Sequence, residues 1–210
     1  MPAYHDLSVS LDPRLPVWPE SHGVRISRLM TAEKDGWNVS RLDIDVHSGT
    51  HIDAPLHLLP DGKTTNEIPL EKLIGPCVVA DLRGRAKITA TDLAGCDIPD
   101  GTQKLLCKTD NSRHWVNPFH TFREDFCALT ADAAQWVVDR GIHLVGIDYH
   151  SIQLFHDPPD THRILLENEV VIVETLNLLD IAPGTYRLFC LPTKVNGVEG
   201  ISARVVLEAE

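Results

Sequence analysis

The sequence predicts a single compact α/β domain built on a mixed β-sheet, and three observations carry that expectation. Short apolar runs of strand length alternate along the chain with segments of helical character. The 210 residues, 43% of them hydrophobic, suit one domain with its own core. Hairpin-like spacings at the ends of the chain do not suit a wholly parallel sheet, so parallel and antiparallel pairs are expected together.

Taken in order, Leu7 to Leu11 reads as a strand, after which Pro13, Pro16 and Pro19 predict an irregular loop up to about residue 30. Trp18 stands in that loop between two prolines, where it either plugs the core or contacts a ligand. From Asn38 to His47 apolar and polar residues alternate, apart from a slip at Arg41, which predicts a strand with one polar face ending at His47. Asp43 and Asp45 on that face read as solvated or supporting groups rather than ligands. Asp61-Gly62 marks a turn, and Pro69 to Ile74 reads as a short helix stopped by Gly75-Pro76.

The strands then expected are Cys77–Leu82, Lys104–Thr109, Leu144–Asp148, Val170–Leu176, Tyr186–Leu191 and Arg204–Glu208. The clearest helix spans Ala131 to Arg140, with Thr130 as N-cap, Asp132 in the first turn and Gly141 past the end. A second short helix follows Thr91. Residues 110–130 are polar and aromatic without a period and read as a long loop, of the kind that serves as a cover, an insertion or an oligomer contact.

Composition removes several classes of function. A formal net charge of −11 opposes binding to nucleic acid, which needs clustered Lys and Arg. No apolar run nears 18 residues and the first ten carry Asp6, so neither a membrane span nor a secretory leader is expected, and the protein is read as cytoplasmic. Cys77, Cys96, Cys107, Cys127 and Cys190 are odd in number, scattered and never in a CxxC arrangement. They read as buried free thiols rather than a disulfide framework or a thiolate metal site.

The chemistry gathers at Asp45 to His57, where three histidines and two carboxylates fall within thirteen residues. Gly49, Thr50 and Pro55 argue against a helix there. In extended chain His51, Asp53 and His57 share one side, and a turn at Gly49 folds His47 back towards them. Glu174 is a lone carboxylate in the apolar run Val170 to Leu176, and burial would oblige it to find a metal, an arginine or a hydrogen-bond network. His162 follows the proline segment Pro158-Pro159, a place that can aim a side chain into a pocket or serve structure alone. His5, His22, His114, His120, His143, His150 and His156 lack comparable spacing and read as surface or structural groups.

Imidazoles and carboxylates without thiolates suit Zn²⁺ or Mn²⁺, with Fe²⁺ also permitted. Such an ion lowers the pKa of bound water from 15.7 towards ~7 and polarises a carbonyl, and a carboxylate between two ions can hold them ~3.5–4 Å apart. That is hydrolytic chemistry. It needs a proton shuttle, and His57, set off from the cluster by Pro55, fits the part.

His47-x-Gly49-Thr50-His51-x-Asp53-x-Pro55-x-His57 resembles the signature of the cyclase-like metal-dependent hydrolases, which include bacterial kynurenine formamidases and isatin hydrolases. Pro16-Val17-Trp18-Pro19, Gly146-Ile147-Asp148, His162 to Leu166 and Ile172-Val173-Glu174 resemble further segments of that family, so the likeness covers most of the chain. The resemblance implies a barrel-like mixed sheet with flanking helices, of the swivelling β/β/α type. It implies that His47, His51 and Asp53 bind one ion, and that Asp53 bridges to a second held by His162 and Glu174. It makes His57 the general acid/base, sets Trp18 against an aromatic substrate, and implies a homodimer or homotetramer. The expected activity is cleavage of a small aryl amide, of the arylformamidase type that converts N-formylkynurenine to kynurenine and formate. A cyclic amide as in isatin hydrolases, a metal-dependent cyclase or dehydratase reaction, and a metal-binding protein without turnover are the alternatives. Gly49-Thr50-His51 stands where formamidases often carry Gly-Ala-His, and Tyr149 to Asp157 matches nothing recognised in them.

Overall fold

A computed structural model describes residues 3–119 and 121–209. His120 lies outside the described residues. The strands are β1 (Tyr4–Asp6), β2 (Val24–Met30), β3 (Val39–Ile44), β4 (His51–Asp53), β5 (Ile74–Asp81), β6 (Lys104–Lys108), β7 (Leu144–Ile147), β8 (Val171–Glu174), β9 (Gly184–Pro192) and β10 (Gly200–Ala209). The helices are α1 (Ala32–Asp35), α2 (Leu70–Leu73), α3 (Ala90–Ala94), α4 (Ala131–Asp139) and α5 (Asp160–Glu167).

The main sheet runs β1-β10-β4-β8-β7-β6-β5-β9, and β9 also pairs with β10, which closes seven strands into a barrel with β1 laid against β10. The four strands β5, β6, β7 and β8 are parallel, while β4, β9, β10 and β1 join antiparallel. The mixed, barrel-like sheet expected from the sequence is therefore present. Closure removes the unpaired edges that an open sheet would leave.

Alternation along the strands divides the core in two. Ile52, Val79, Leu106, Leu144, Val171, Val173, Leu188, Cys190, Val205 and Leu207, from all seven strands, pack together inside the barrel. Val78, Leu105, Cys107, Val145, Ile147 and Ile172 face outwards and meet Leu93, Ala133, Ala134, Val137, Leu165 and Leu166 from the helices. Gly146 faces inwards, where an added Cβ would lie 2.6 Å from Leu106 Cδ2 and 2.9 Å from Leu176 Cδ1. The barrel has no room there for a side chain. The cysteines are free, and four of the five are buried.

Several local expectations are corrected. The first strand is Tyr4–Asp6 rather than Leu7–Leu11, and residues 24–30 are not irregular loop but β2, paired with β3 in a separate two-stranded sheet. That hairpin leaves Ile26, Leu29, Trp37, Val39 and Leu42 exposed, so the alternation in β3 marks no core face. Pro76 sits inside β5 instead of stopping a helix, and it pairs with Arg187 of β9. Asp110–Val116 forms a 3-10 helix inside the stretch read as loop, with the Thr109 hydroxyl accepting from Asn111 N at its start. Among the described residues, no helix is long and apolar enough to cross a membrane.

Candidate metal centre

The same alternation that fills the barrel with Ile52 and Val173 turns His51, Asp53 and Glu174 to the outside, towards α5. His51 and Glu174 are directly paired across β4 and β8. All three are buried, at 1%, 1% and 4% exposure. Gly49 has φ +65, a left-handed turn, and this reverses the chain so that His47 Nδ1 reaches 2.8 Å from Asp53 Oδ1. Thr50 pins the turn: its hydroxyl accepts from Val9 N at 2.8 Å and donates to Thr175 O at 2.5 Å. His57 arrives by a different route from the one the sequence suggests. Pro55–His57 is a 3-10 turn rather than extended chain, and it lays the His57 ring 4.4 Å from that of His47. His162 lies in the first turn of α5, with Nε2 3.2 Å from Glu174 Oε1 and 3.8 Å from Asp53 Oδ2.

All six residues expected at the centre thus converge. Ligand atoms of His51, Asp53 and Glu174 lie within 4.8 Å of one another, as do those of His47, Asp53 and His57. Asp53 belongs to both groups, which suits a carboxylate shared between two ions. Among the described residues Glu174 has no arginine beside it; its contacts are Ile152 N at 2.7 Å, His162 Nε2 at 3.2 Å and His51 Nε2 at 3.4 Å. Neither oxygen of Asp53 nor Nε2 of His51 has a hydrogen-bond partner of good geometry, although all three atoms are fully buried. Unsatisfied buried polar atoms are rare, and two adjacent carboxylates facing an orphaned imidazole nitrogen are what a cation would satisfy. The donor set of nitrogens and carboxylate oxygens fits Zn²⁺ or Mn²⁺.

Electrostatics follow from that crowding. Burial alone would push the His47 imidazolium down, but the charge of Asp53 outweighs it and lifts the pKa to about 9. Burial likewise opposes the charge on Asp53, yet His47, His51 and His57 hold its carboxyl far below the usual range. His162 is raised: burial acts against the charged form, and Glu174 prevails. In Glu174 the cost of burial and the repulsion of Asp53 are overcome by the His162 and His51 rings beside it, so its pKa is lowered. His57 moves the other way, lowered first by burial and then by the neighbouring His47 and His162 despite Asp53. Of His47, His57 and His162 it is the one moved towards its uncharged form.

Trp18 is 41% exposed, with its ring 5.0 Å from Phe155 and 5.5 Å from Phe122. It joins an aromatic wall instead of plugging the core. Asp45 is no ligand, since it accepts from the Ser21 hydroxyl and from His22 N at 2.6 Å and so ties down the loop after Trp18. Sequence reasoning missed Glu199, whose Oε1 lies 3.7 Å from His47 Nε2, and Gln153, which meets His162. Glu199 carries one faint signal, the following Gly200, where a Cβ would strike His47 Cε1 at 2.5 Å. His150 is buried against Phe122, with rings 5.3 Å apart, while His156 is exposed near Glu124.

The chain resembles known proteins along most of its length. Residues 5–153 match the family described as "Putative cyclase". The kynurenine formamidase of Salinibacter ruber is 31% identical over 209 residues, covering 96% of this chain and 95% of that protein. A solved structure of a "potential metal-dependent hydrolase with cyclase activity" superposes with TM-score 0.86 at 35% identity, covering 100% of this chain and 99% of the other. Isatin hydrolase A from Labrenzia aggregata, bound to benzyl benzoate, superposes with TM-score 0.84 at 25% identity, covering 99% of this chain and 94% of that one.

Proposed function

The chain belongs to the cyclase family, and on that premise we propose that it is a metal-dependent amidohydrolase of small aryl amides, with N-formylkynurenine as substrate and kynurenine and formate as products. The observation that carries the reading is the set of buried atoms without a well-aligned hydrogen bond on His51 and Asp53, with Asp53 common to two ligand groups. His47, His51 and Asp53 would hold one ion, and His162 and Glu174, with Asp53 between, a second. An ion there supplies an acidified water and polarises the amide carbonyl. The chain does the rest. His57, its imidazole shifted by burial towards the uncharged form, takes the proton as the new C–O bond forms and returns it to the nitrogen as the C–N bond breaks. Trp18, Phe122 and Phe155 offer faces to the aryl ring and narrow the access of water.

A cyclic aryl amide such as isatin is the second reading, and the aromatic wall favours it, because a flat fused ring stacks there without an amino-acid tail. The exposed apolar residues Ile26, Trp37 and Leu42 of the β2–β3 hairpin support a homodimer or homotetramer. The test is ion content of the purified protein together with hydrolysis of N-formylkynurenine and isatin, with and without chelator. Activity that survives complete chelation would overturn the metal mechanism. Turnover of isatin alone would move the substrate to the second reading.

A further inference from the structure

Each histidine of the centre other than His57 turns one nitrogen inwards and has an oxygen near the other. His51 directs Nε2 at the carboxylates, and its Nδ1 lies 2.8 Å from Gly49 O. His47 directs Nδ1 inwards, with Nε2 facing Glu199. His162 directs Nε2 inwards, and its Nδ1 lies 3.3 Å from Gln153 Oε1. Outer partners of this kind fix the tautomer of a metal-binding imidazole and raise its basicity.

Gln153 differs from the others in being a neutral side chain that could present either end, so its orientation decides the matter. Its Nε2 donates to Asp157 O at 3.1 Å, and its Oε1 accepts from His162 N at 3.5 Å. A flipped amide would set its oxygen against the Asp157 carbonyl and its NH₂ against the His162 N–H, losing both bonds. The oxygen must therefore face His162. His162 N is also one of the donors in the first turn of α5, a helix whose N-cap is Pro159 and has no side-chain cap bond. One oxygen thus serves the helix start and the ring together.

We propose that Gln153 is the positioning residue of the second ion. By accepting from His162 Nδ1 it keeps the proton there, leaves the Nε2 lone pair directed between Glu174 and Asp53, and so sets how tightly that ion is held. The inference rests on the metal reading above and concerns only the ion bound by His162 and Glu174.

The test is stepwise Mn²⁺ binding by calorimetry and by competition with a chromophoric chelator, on the wild type, Gln153→Leu and Gln153→Glu, with melting of each metal-free form. Gln153→Leu, close in size but unable to accept, weakens the second ion ~10–100-fold and leaves the first within about twofold. Gln153→Glu, which keeps an acceptor and adds charge, binds the second ion at least as tightly as the wild type. A role in capping alone would lower melting in Gln153→Leu without changing ion affinity, and that result overturns the proposal. So does a tenfold loss in Gln153→Glu, which decides the case if Gln153→Leu fails to fold. A wild type that takes one ion in excess Mn²⁺ refutes this inference and spares the first site, whereas one that takes none refutes the metal reading itself.

Discussion

Loading the centre with a divalent ion should expel protons, and the structure gives their number. In the metal-free protein the His47 pKa stands at about 9 because Asp53 lies 2.8 Å away. At pH 7.5 such a group is about 97% protonated, so an ion that takes its lone pair must displace about one proton. His162, also raised by its carboxylate neighbour, adds up to one more. Calorimetric titration of Zn²⁺ at pH 7.5 in buffers of different ionisation enthalpy reads the count directly, and between one and two protons are expected from the imidazoles, with that of an acidified water in addition. With one proton displaced, affinity climbs about tenfold per pH unit between pH 6.5 and 8.5 and flattens above about 9. The sign for stability is opposite. A histidine whose folded pKa is raised stabilises the metal-free fold fully below its unfolded value of ~6.5, and that contribution, on the order of 3 kcal/mol, is lost as pH rises through about 9. Release of less than about half a proton, together with affinity that is flat in pH, would refute the pairing of His47 with Asp53 from which the centre is argued.

Other perturbations separate the parts of the site. Gly200→Ala would place a Cβ 2.5 Å from His47 Cε1, so the ring must shift by about an ångström. The expected result is a normal melting curve, a weaker first ion and activity reduced ~10²-fold, the scale of such a misplacement; unchanged ion binding would mean that the ring position is not critical. Trp18→Ala removes stacking worth ~1 kcal/mol, and steady-state kinetics should show KM raised several-fold with kcat and ion content nearly unchanged. A fall in kcat with unaltered KM would remove Trp18 from substrate binding.

The site was more legible in the sequence than the fold around it. His47, His51, Asp53 and His57 were visible because a glycine turn and a two-residue strand period are local, and local geometry can be read from spacing. Glu174 stood out as a charge in an apolar strand, since burial forces such a group to have a partner. His162 was only half visible: Pro158-Pro159 masked the start of α5, and nothing in the sequence shows that this helix packs over β8. Gln153 lacked any signal and Glu199 had only the faint one of Gly200 beside it, because their roles exist only once β10 and the 149–157 segment are brought against His47 and His162. β3 was legible as a strand, but its partner β2 and the exposure of the hairpin were not. Its apolar residues face solvent, and a pattern normally read as a core face had no core to meet.

The central claim is that His47, His51 and Asp53 hold an ion while His57 moves the proton, although His57 lies close enough to Asp53 and His47 to bind the ion itself. Ion content and turnover of His57→Ala, measured on the same preparation at neutral pH, test it most directly. The account predicts ion retained at the wild-type ratio, an unchanged melting curve of the loaded protein, and turnover of the aryl amide reduced ~10²-fold or more. A folded variant that has lost its ion would make His57 a ligand, and one that retains full turnover would leave the reaction without its proton carrier.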